Sequence, residues 1–290
     1  DGIRDVAVTG VQTCALPIYI NLIHVNPSEL PLAFMDVGKN QWDTRYNIGY
    51  WLWELEEFPK EWLPAFHLLD EVWTPSEFIS QNLRKYTDKP VYTLPYSVTA
   101  PADAAYDRDY FHLPKDRFLF LMMYDSGSGM VRKNPLGVIE AFKQAFDREN
   151  KQVGLVIKMN RSEQSEKDIE NIRTKLDGYD NIYFICETLS KTAVNSLTAC
   201  VDVFVSLHRA EGFGLVMAEA MLLGTPVIAT NWSANTEFMN RESACMVDYK
   251  KTAIEQDIPP FKKGVILRLA IGGVKHCIIQ NQEISVSGRK

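Results

Sequence analysis

Two glutamates, Glu211 and Glu219, bracket a glycine-bearing turn in the run SLHRAEGFGLVMAEAMLLGTPVIATNWSA, residues 206–234. A carboxylate accepts hydrogen bonds readily from two adjacent hydroxyls. Gly212 and Gly214 carry no Cβ, so the backbone there can come close to a ligand. The apolar run Val201 to Leu207 before the turn reads as a buried strand. Leu215 to Leu223 reads as a helix stopped by Gly224, and Val227 to Ala229 as the next strand. That is one parallel crossover, with the unpaired amides and positive dipole end of the helix facing outward from the turn. Such a site takes phosphate or sugar oxygens. An acid on either side of it suits a ligand with sugars at both ends and phosphate between.

The block E-G-F-G-L-x-x-x-E followed by A-M-x-x-G-x-P-V-I-A resembles the donor-site motif of retaining GT-B glycosyltransferases of family 4, the glycosyl transferases group 1. The resemblance runs from about Ile20 to Lys263 and is strongest in the second half of that span. It implies an α/β GT-B fold: two Rossmann-like domains facing across a cleft, the N-terminal one incomplete. It also implies transfer of a hexose, mannose-like, from a nucleotide-diphospho-sugar to a glycan or lipid-linked acceptor, with retention of configuration. The donor is then a substrate, and neither a cofactor nor a bound metal is expected. In such a protein Glu211 binds hydroxyls of the transferred sugar and Glu219 the ribose. The amides around Phe213, Gly214 and Leu215 face the sugar and phosphates.

A departing diphosphate needs cations nearby, most of all where no metal serves. The apolar strand pattern RFLFLMMY, residues 117–124, runs into the turn Asp125 to Gly129 and then Arg132-Lys133-Asn134-Pro135. Lys133 matches the family lysine of K-G or K-N. The family's earlier arginine is absent, so either Arg132 substitutes for it or the glycine-rich amides suffice. Lys158 ends the apolar run Val153 to Met159. A charge at the carboxyl end of a parallel strand points toward the crevice where such sheets bind ligands. Arg209 could reach phosphate or be a surface residue. Downstream, Asn231 to Phe238 resembles the family's G-G-x-x-E turn, with Ala234 and Asn235 where glycines are usual. Asparagine tolerates left-handed dihedrals, which makes Asn235 a donor-side candidate.

On the acceptor side, His24 ends the apolar run Tyr19 to Val25. It is either a cleft residue or a hydrogen-bonded strand-end histidine. Where many family members carry a histidine after YNIGYWLW, this chain has Trp51, Trp53, Glu54 and Glu56. Trp53 can stack on a sugar face and Glu54 can accept acceptor hydroxyls. The alternative is a packed aromatic strand with a solvated acidic loop.

The remaining features set bounds. The 290 residues carry a net charge of −6, which argues against nonspecific nucleic-acid binding. At 46% hydrophobic and 23% charged the chain is globular. Its 5 cysteines form no CxxC pair, so they read as reduced thiols of a cytoplasmic protein without a zinc site. No run is apolar enough to span a membrane, and peripheral contact at its inner face stays open. Residues 1–18, DGIRDVAVTGVQTCALPI, look like a translated sequencing adapter. Residues 19–112 read as a partial N-terminal acceptor-side domain and 113–264 as the donor domain, joined through the Pro- and Asp-rich stretch Thr99 to Lys115. Residues 265–290 lose the family pattern and suggest a frameshift. Two rivals remain: a fragment that binds nucleotide-sugar without transferring it, and a hydrolase using Glu211 and Glu219. Retaining hydrolases need carboxylates about 5 Å apart across one bond, which one loop-helix segment supplies poorly.

Overall fold

The computed structural model describes residues 19–125, 130–159, 166–253 and 266–270. The readings of residues 1–18 and of most of the final tail lie outside the described residues. The chain divides into two compact units.

The first unit comprises residues up to Ser97 together with Glu211–Phe213. In order it runs β1 (Ile20–Ile23), α1 (Leu30–Val37), α2 (Lys39–Asp43), β2 (Tyr46–Tyr50), a 3₁₀ helix (Lys60–Leu68), β3 (Glu71–Thr74), α3 (Glu77–Leu83) and β4 (Val91–Thr93). The strands form one parallel sheet in the order β1-β2-β3-β4. Leu22 lies opposite Ile48, Gly49 opposite Val72 and Trp73 opposite Tyr92. Lys60–Leu68 winds as 3₁₀ rather than α-helix, and Pro64 inside it has no N–H to donate. Ser76 caps α3, accepting from the Ile79 amide at 3.4 Å. The core here is aromatic: Trp51, fully buried, lies between Phe58 and Phe66 at 6.0 and 4.8 Å.

The second unit holds the fuller sheet. It runs β5 (Phe118–Tyr124), α4 (Met130–Lys133), α5 (Pro135–Ala145), β6 (Val153–Met159), α6 (Glu166–Lys175), β7 (Ile182–Ile185), α7 (Lys191–Cys200), β8 (Val203–Ser206), α8 (Leu215–Leu222), β9 (Val227–Thr230), a 3₁₀ turn (Ala234–Glu237) and β10 (Cys245–Val247). An antiparallel hairpin, β11 (Tyr249–Ala253) with β12 (Ile266–Ala270), follows. The six-stranded parallel sheet has the order β10-β9-β8-β5-β6-β7. Its strands read as unbroken apolar runs because both faces are covered. Phe118, Phe120 and Met122 of β5 pack with Ile139 and Phe142 of α5, whereas Leu119 and Leu121 pack with Leu197 of α7 and Ala220 of α8. This is a doubly wound α/β sheet.

The units divide at Ser97/Val98 rather than near His112. The stretch read as a linker is bonded to the second unit. Arg108 donates to the carbonyls of Cys200, Pro114 and Arg117 and pairs with Asp202 at 2.8 Å. Asn195 also donates to the Pro101 carbonyl at 3.0 Å. A second correction concerns the thiols: Cys186 and Cys200 are free, but Cys245 is disulfide-bonded, its partner lying outside the described residues.

Candidate functional site

In the second unit the chain leaves β5 outward through β6 and β7, then returns to the other side of β5 as β8 and continues through β9 and β10. Sheets of this kind bind ligands outside the carboxyl ends of the strands, at the point where the order reverses. Here that point lies between β5 and β8. The segment after β5 carries Arg132, Lys133 and Asn134; the segment after β8 carries His208 and Arg209.

The two segments are stitched together. The Arg209 amide donates to the Arg132 carbonyl at 2.8 Å, and Arg132 Nη1 donates to the Ala210 carbonyl at 3.1 Å. Asn134 adopts the left-handed region (φ 52°, ψ 49°), caps α5, and donates to the Leu207 carbonyl at 2.9 Å. Asn134 Oδ1 accepts from Arg209 Nη2 at 3.3 Å. Arg132 is buried and serves as a brace in this lattice. Arg209 differs: its Nε is buried and has no hydrogen-bond partner among the described residues. Burial pulls its guanidinium pKa down, and no other group offsets that. Lys133, half-buried, ends α4 beside it in sequence.

Lys158 is 4% exposed at the end of β6, and its Nζ donates to the Met159 carbonyl at 3.1 Å. Burial lowers its pKa, while the charges of Cys186, Glu187 and Asp125 act the other way. Glu219, on the second turn of α8, is 3% exposed and accepts from Lys191 Nζ at 2.6 Å. Lys191 opens α7 with its side chain 53% exposed. Nothing in the sequence flagged it, because its neighbour is set by how α7 packs on α8. Gly214 caps α8 at φ 92°. A Cβ there would stand 2.7 Å from Met217 Cε and 3.2 Å from Asn235 Cβ, so no other residue fits without displacement. Leu215 opens the helix, partly exposed.

Asn235 is fully buried, and its side chain is committed to the protein. Nδ2 donates to the Thr230 carbonyl at 3.1 Å, and Oδ1 lies 3.1 Å from His208 Nε2. The positive-φ residue of this turn is Ser233 (φ 77°, ψ −162°), not Asn235. Asn235 therefore holds the turn, and any donor contact from it is made by backbone.

Glu211, Gly212 and Phe213 belong to the first unit. Glu211 is 8% exposed. The Gly212 carbonyl accepts from Ser76 Oγ at 2.7 Å, so the residue that caps α3 also anchors this loop. The Phe213 ring meets Tyr96 edge-on at 5.2 Å. Tyr96 lies 5.8 Å from Tyr50, and exposed His24 stacks on Tyr50 at 4.9 Å with 19° between planes. Burial pushes the Tyr50 hydroxyl well above its ordinary pKa and raises that of Tyr96, against the hydrogen bond with Tyr50. Glu54 is half-buried. Trp53 is not a sugar platform: it is 4% exposed, packed against Phe58 and Trp62, with Nε1 donating to the Glu57 carbonyl at 2.7 Å. The aromatic strand faces the core.

Among the described residues no cluster of three or more His, Cys, Asp or Glu could hold a metal ion. Among the same residues no helix is long and apolar enough to cross a membrane.

A family model, glycosyl transferases group 1, matches residues 112–261, just over half of the chain. The chain belongs to the glycosyl transferases group 1 family. No curated protein matches it by sequence. Among solved structures it resembles the Anabaena protein HepE in complex with UDP and glucose: 15% identity, TM-score 0.63, 78% of this chain and 64% of that one. Sucrose-phosphate synthase from Thermosynechococcus elongatus aligns at 19% identity and TM-score 0.62, over 78% of this chain and 60% of that one. S. aureus TarM, in complex with Fondaparinux, alpha-GlcNAc-glycerol and UDP, aligns at 14% identity and TM-score 0.63, over 90% of this chain and 48% of that one. At such identities the likeness shows the fold, and the fold is GT-B. The chain spans less than two thirds of the length of each of these three.

Proposed function

We propose that this group 1 glycosyltransferase takes a nucleotide-diphospho-sugar at the β5/β8 switch point and moves its hexose, mannose-like, to a glycan or lipid-linked acceptor with retention of configuration. The observation that carries the reading is Arg209: a half-buried guanidinium whose buried Nε is an unused donor, with no acid acting on its pKa, where an α/β sheet takes its ligand. A diphosphate supplies the missing charge and acceptor oxygens. Breaking the bond from sugar C1 to phosphate leaves the electron pair on the diphosphate. Arg209, Lys133 and Lys158 stabilise that charge without a metal. Arg132 contributes by holding the loop.

Glu211 accepts hydroxyls of the transferred sugar. Glu219 accepts the ribose hydroxyls, its second oxygen oriented by the Lys191 bond. The amides of Gly214 and Leu215 point out of the α8 N-terminus toward phosphate. On the first unit, His24 and Glu54 serve the acceptor. Retention, the lack of a metal and peripheral membrane contact come from the family resemblance; the cytoplasmic location rests on the cysteine pattern.

The test is a transfer assay with a panel of UDP- and GDP-sugars in the presence of EDTA, the anomeric configuration of product read by NMR. Loss of transfer in EDTA, or an inverted product, overturns the corresponding part. Donor binding without transfer is the alternative outcome of the same panel. Calorimetric binding with no product in the same panel would establish it.

A further inference from the structure

The β9–β10 turn holds a conformation that serine avoids. Ser233 sits at φ 77°, ψ −162°, a region populated essentially by glycine and costing other residues about 1–3 kcal/mol. Such a conformation persists only where surrounding bonds dictate it. The bonds converge on one buried imidazole. His208, with no exposed surface, places Nε2 3.1 Å from the Trp232 carbonyl and 3.1 Å from Asn235 Oδ1. The Asn235 amide is oriented by its Nδ2 donating to the Thr230 carbonyl at 3.1 Å. Both neighbours of Nε2 are therefore acceptors, and Nε2 must carry the proton. Nδ1 lies 3.0 Å from Ser206 Oγ, a hydroxyl able to donate or accept. The same Asn235 packs its Cβ side against Gly214, the cap of α8.

We propose that His208, protonated at Nε2, is a positioning residue. It pins the carbonyl before Ser233 and the Asn235 amide after it, so that the strained turn stays pressed against the α8 N-terminus and shapes the subsite for the transferred sugar. This role rests on the donor reading above, which puts phosphate and sugar at Gly214 and the ribose further along α8 at Glu219. The imidazole does not touch the reacting atoms. Removing it relaxes the turn and loosens the sugar end of the donor more than the nucleotide end.

The experiment pairs His208→Leu with His208→Gln, whose side-chain amide can still donate toward Trp232 and Asn235. UDP, UDP-glucose, GDP and GDP-mannose are the calorimetric probes. For the matching base, H208L weakens nucleotide-sugar binding about tenfold, as one lost buried hydrogen bond predicts, and leaves nucleotide diphosphate within about threefold. H208Q recovers most of that loss. Equal losses for nucleotide and nucleotide-sugar, or no recovery in H208Q, overturn the positioning role. A cycle with Ser233→Gly is read by urea unfolding. Gly stabilises the wild-type chain by relieving the turn and has little effect once H208L has let the turn relax; equal effects in both backgrounds refute the brace. In the wild-type chain, ¹⁵N NMR of labelled histidine must show the His208 Nε2 protonated, and a bare Nε2 overturns the proposal even if H208L does not fold. If the wild-type chain binds none of the four probes, the donor reading fails on its own. The stability cycle and the Nε2 proton then still decide the brace.

Discussion

Arginine 209 shows what a single side chain can report. A half-buried cation with a buried, unpaired Nε and no acid beside it costs the free protein desolvation, so its removal should cost binding and spare the fold. Arg209→Gln is expected to weaken nucleotide diphosphate binding by about 10- to 100-fold, the worth of one charged hydrogen bond. Its urea midpoint should be equal to or above the wild-type value. Unchanged affinity in calorimetry would remove the cation from the site. Lys158 makes a parallel case with a pH signature. Its folded pKa is lowered by burial, so the folded state binds fewer protons than the unfolded one between that value and the ordinary lysine value. The penalty is present in full below the folded pKa and disappears as pH rises past about 10.5. Lys158→Met should therefore stabilise the chain near neutrality, and the difference from wild type should shrink by pH 10.5. A difference that grows with pH would reverse the sign. At this scale the sequence was a partial guide. Lys158 and Gly214 stand at the ends of elements, and Glu219 on the second turn of α8, where their spacing suggested. Trp53 was misread because an apolar run covered on both faces does not reveal where an aromatic ring points. Asn235 was credited with the turn's unusual dihedral because its residue type favours it, yet Ser233 adopts it.

Elements hold these residues through a few long-range bonds. The segment 98–117 carries no strand or α-helix, yet Arg108 ties it to the end of α7 and, through Asp202, to the Leu119 amide at 2.7 Å. Arg108→Met removes the four donor contacts and leaves Asp202 short of its cation. The expected loss is about 2–4 kcal/mol, measured by urea unfolding followed by far-UV circular dichroism. Less than about 0.5 kcal/mol would make the segment an ordinary surface loop. Gly214 controls the start of α8. Gly214→Ala must hold φ 92° and place a methyl 2.7 Å from Met217, at a cost of about 1–3 kcal/mol, and it should weaken donor binding by moving the first amides of the helix. Strands and helices of the second unit were legible because apolar runs and caps are local signals. The boundary was not, since a Pro- and Asp-rich composition says that a segment lacks regular structure but not which unit its arginine grips.

Across the whole molecule, each unit has its own sheet and its own core, so each should unfold as a cooperative body. Apolar runs alone do not state which strand lies beside which, so the strand order comes from the structure. The tryptophans make the division measurable. Of the six, Trp42, Trp51, Trp53, Trp62 and Trp73 belong to the first unit and only Trp232 to the second. In a Trp232→Phe chain, fluorescence then follows the first unit alone, while far-UV circular dichroism follows both. The cations Arg209, Lys133 and Lys158 all lie in the second unit. A nucleoside diphosphate held by them stabilises that unit by about 2.7 kcal/mol at 100 times its Kd, by mass action. The ligand should therefore move the dichroism transition to higher urea and leave the fluorescence transition where it was. A ligand that moves both equally draws its binding energy from both units, and one that moves only the fluorescence signal would put the nucleotide on the first unit and undo the assignment of the switch point between β5 and β8.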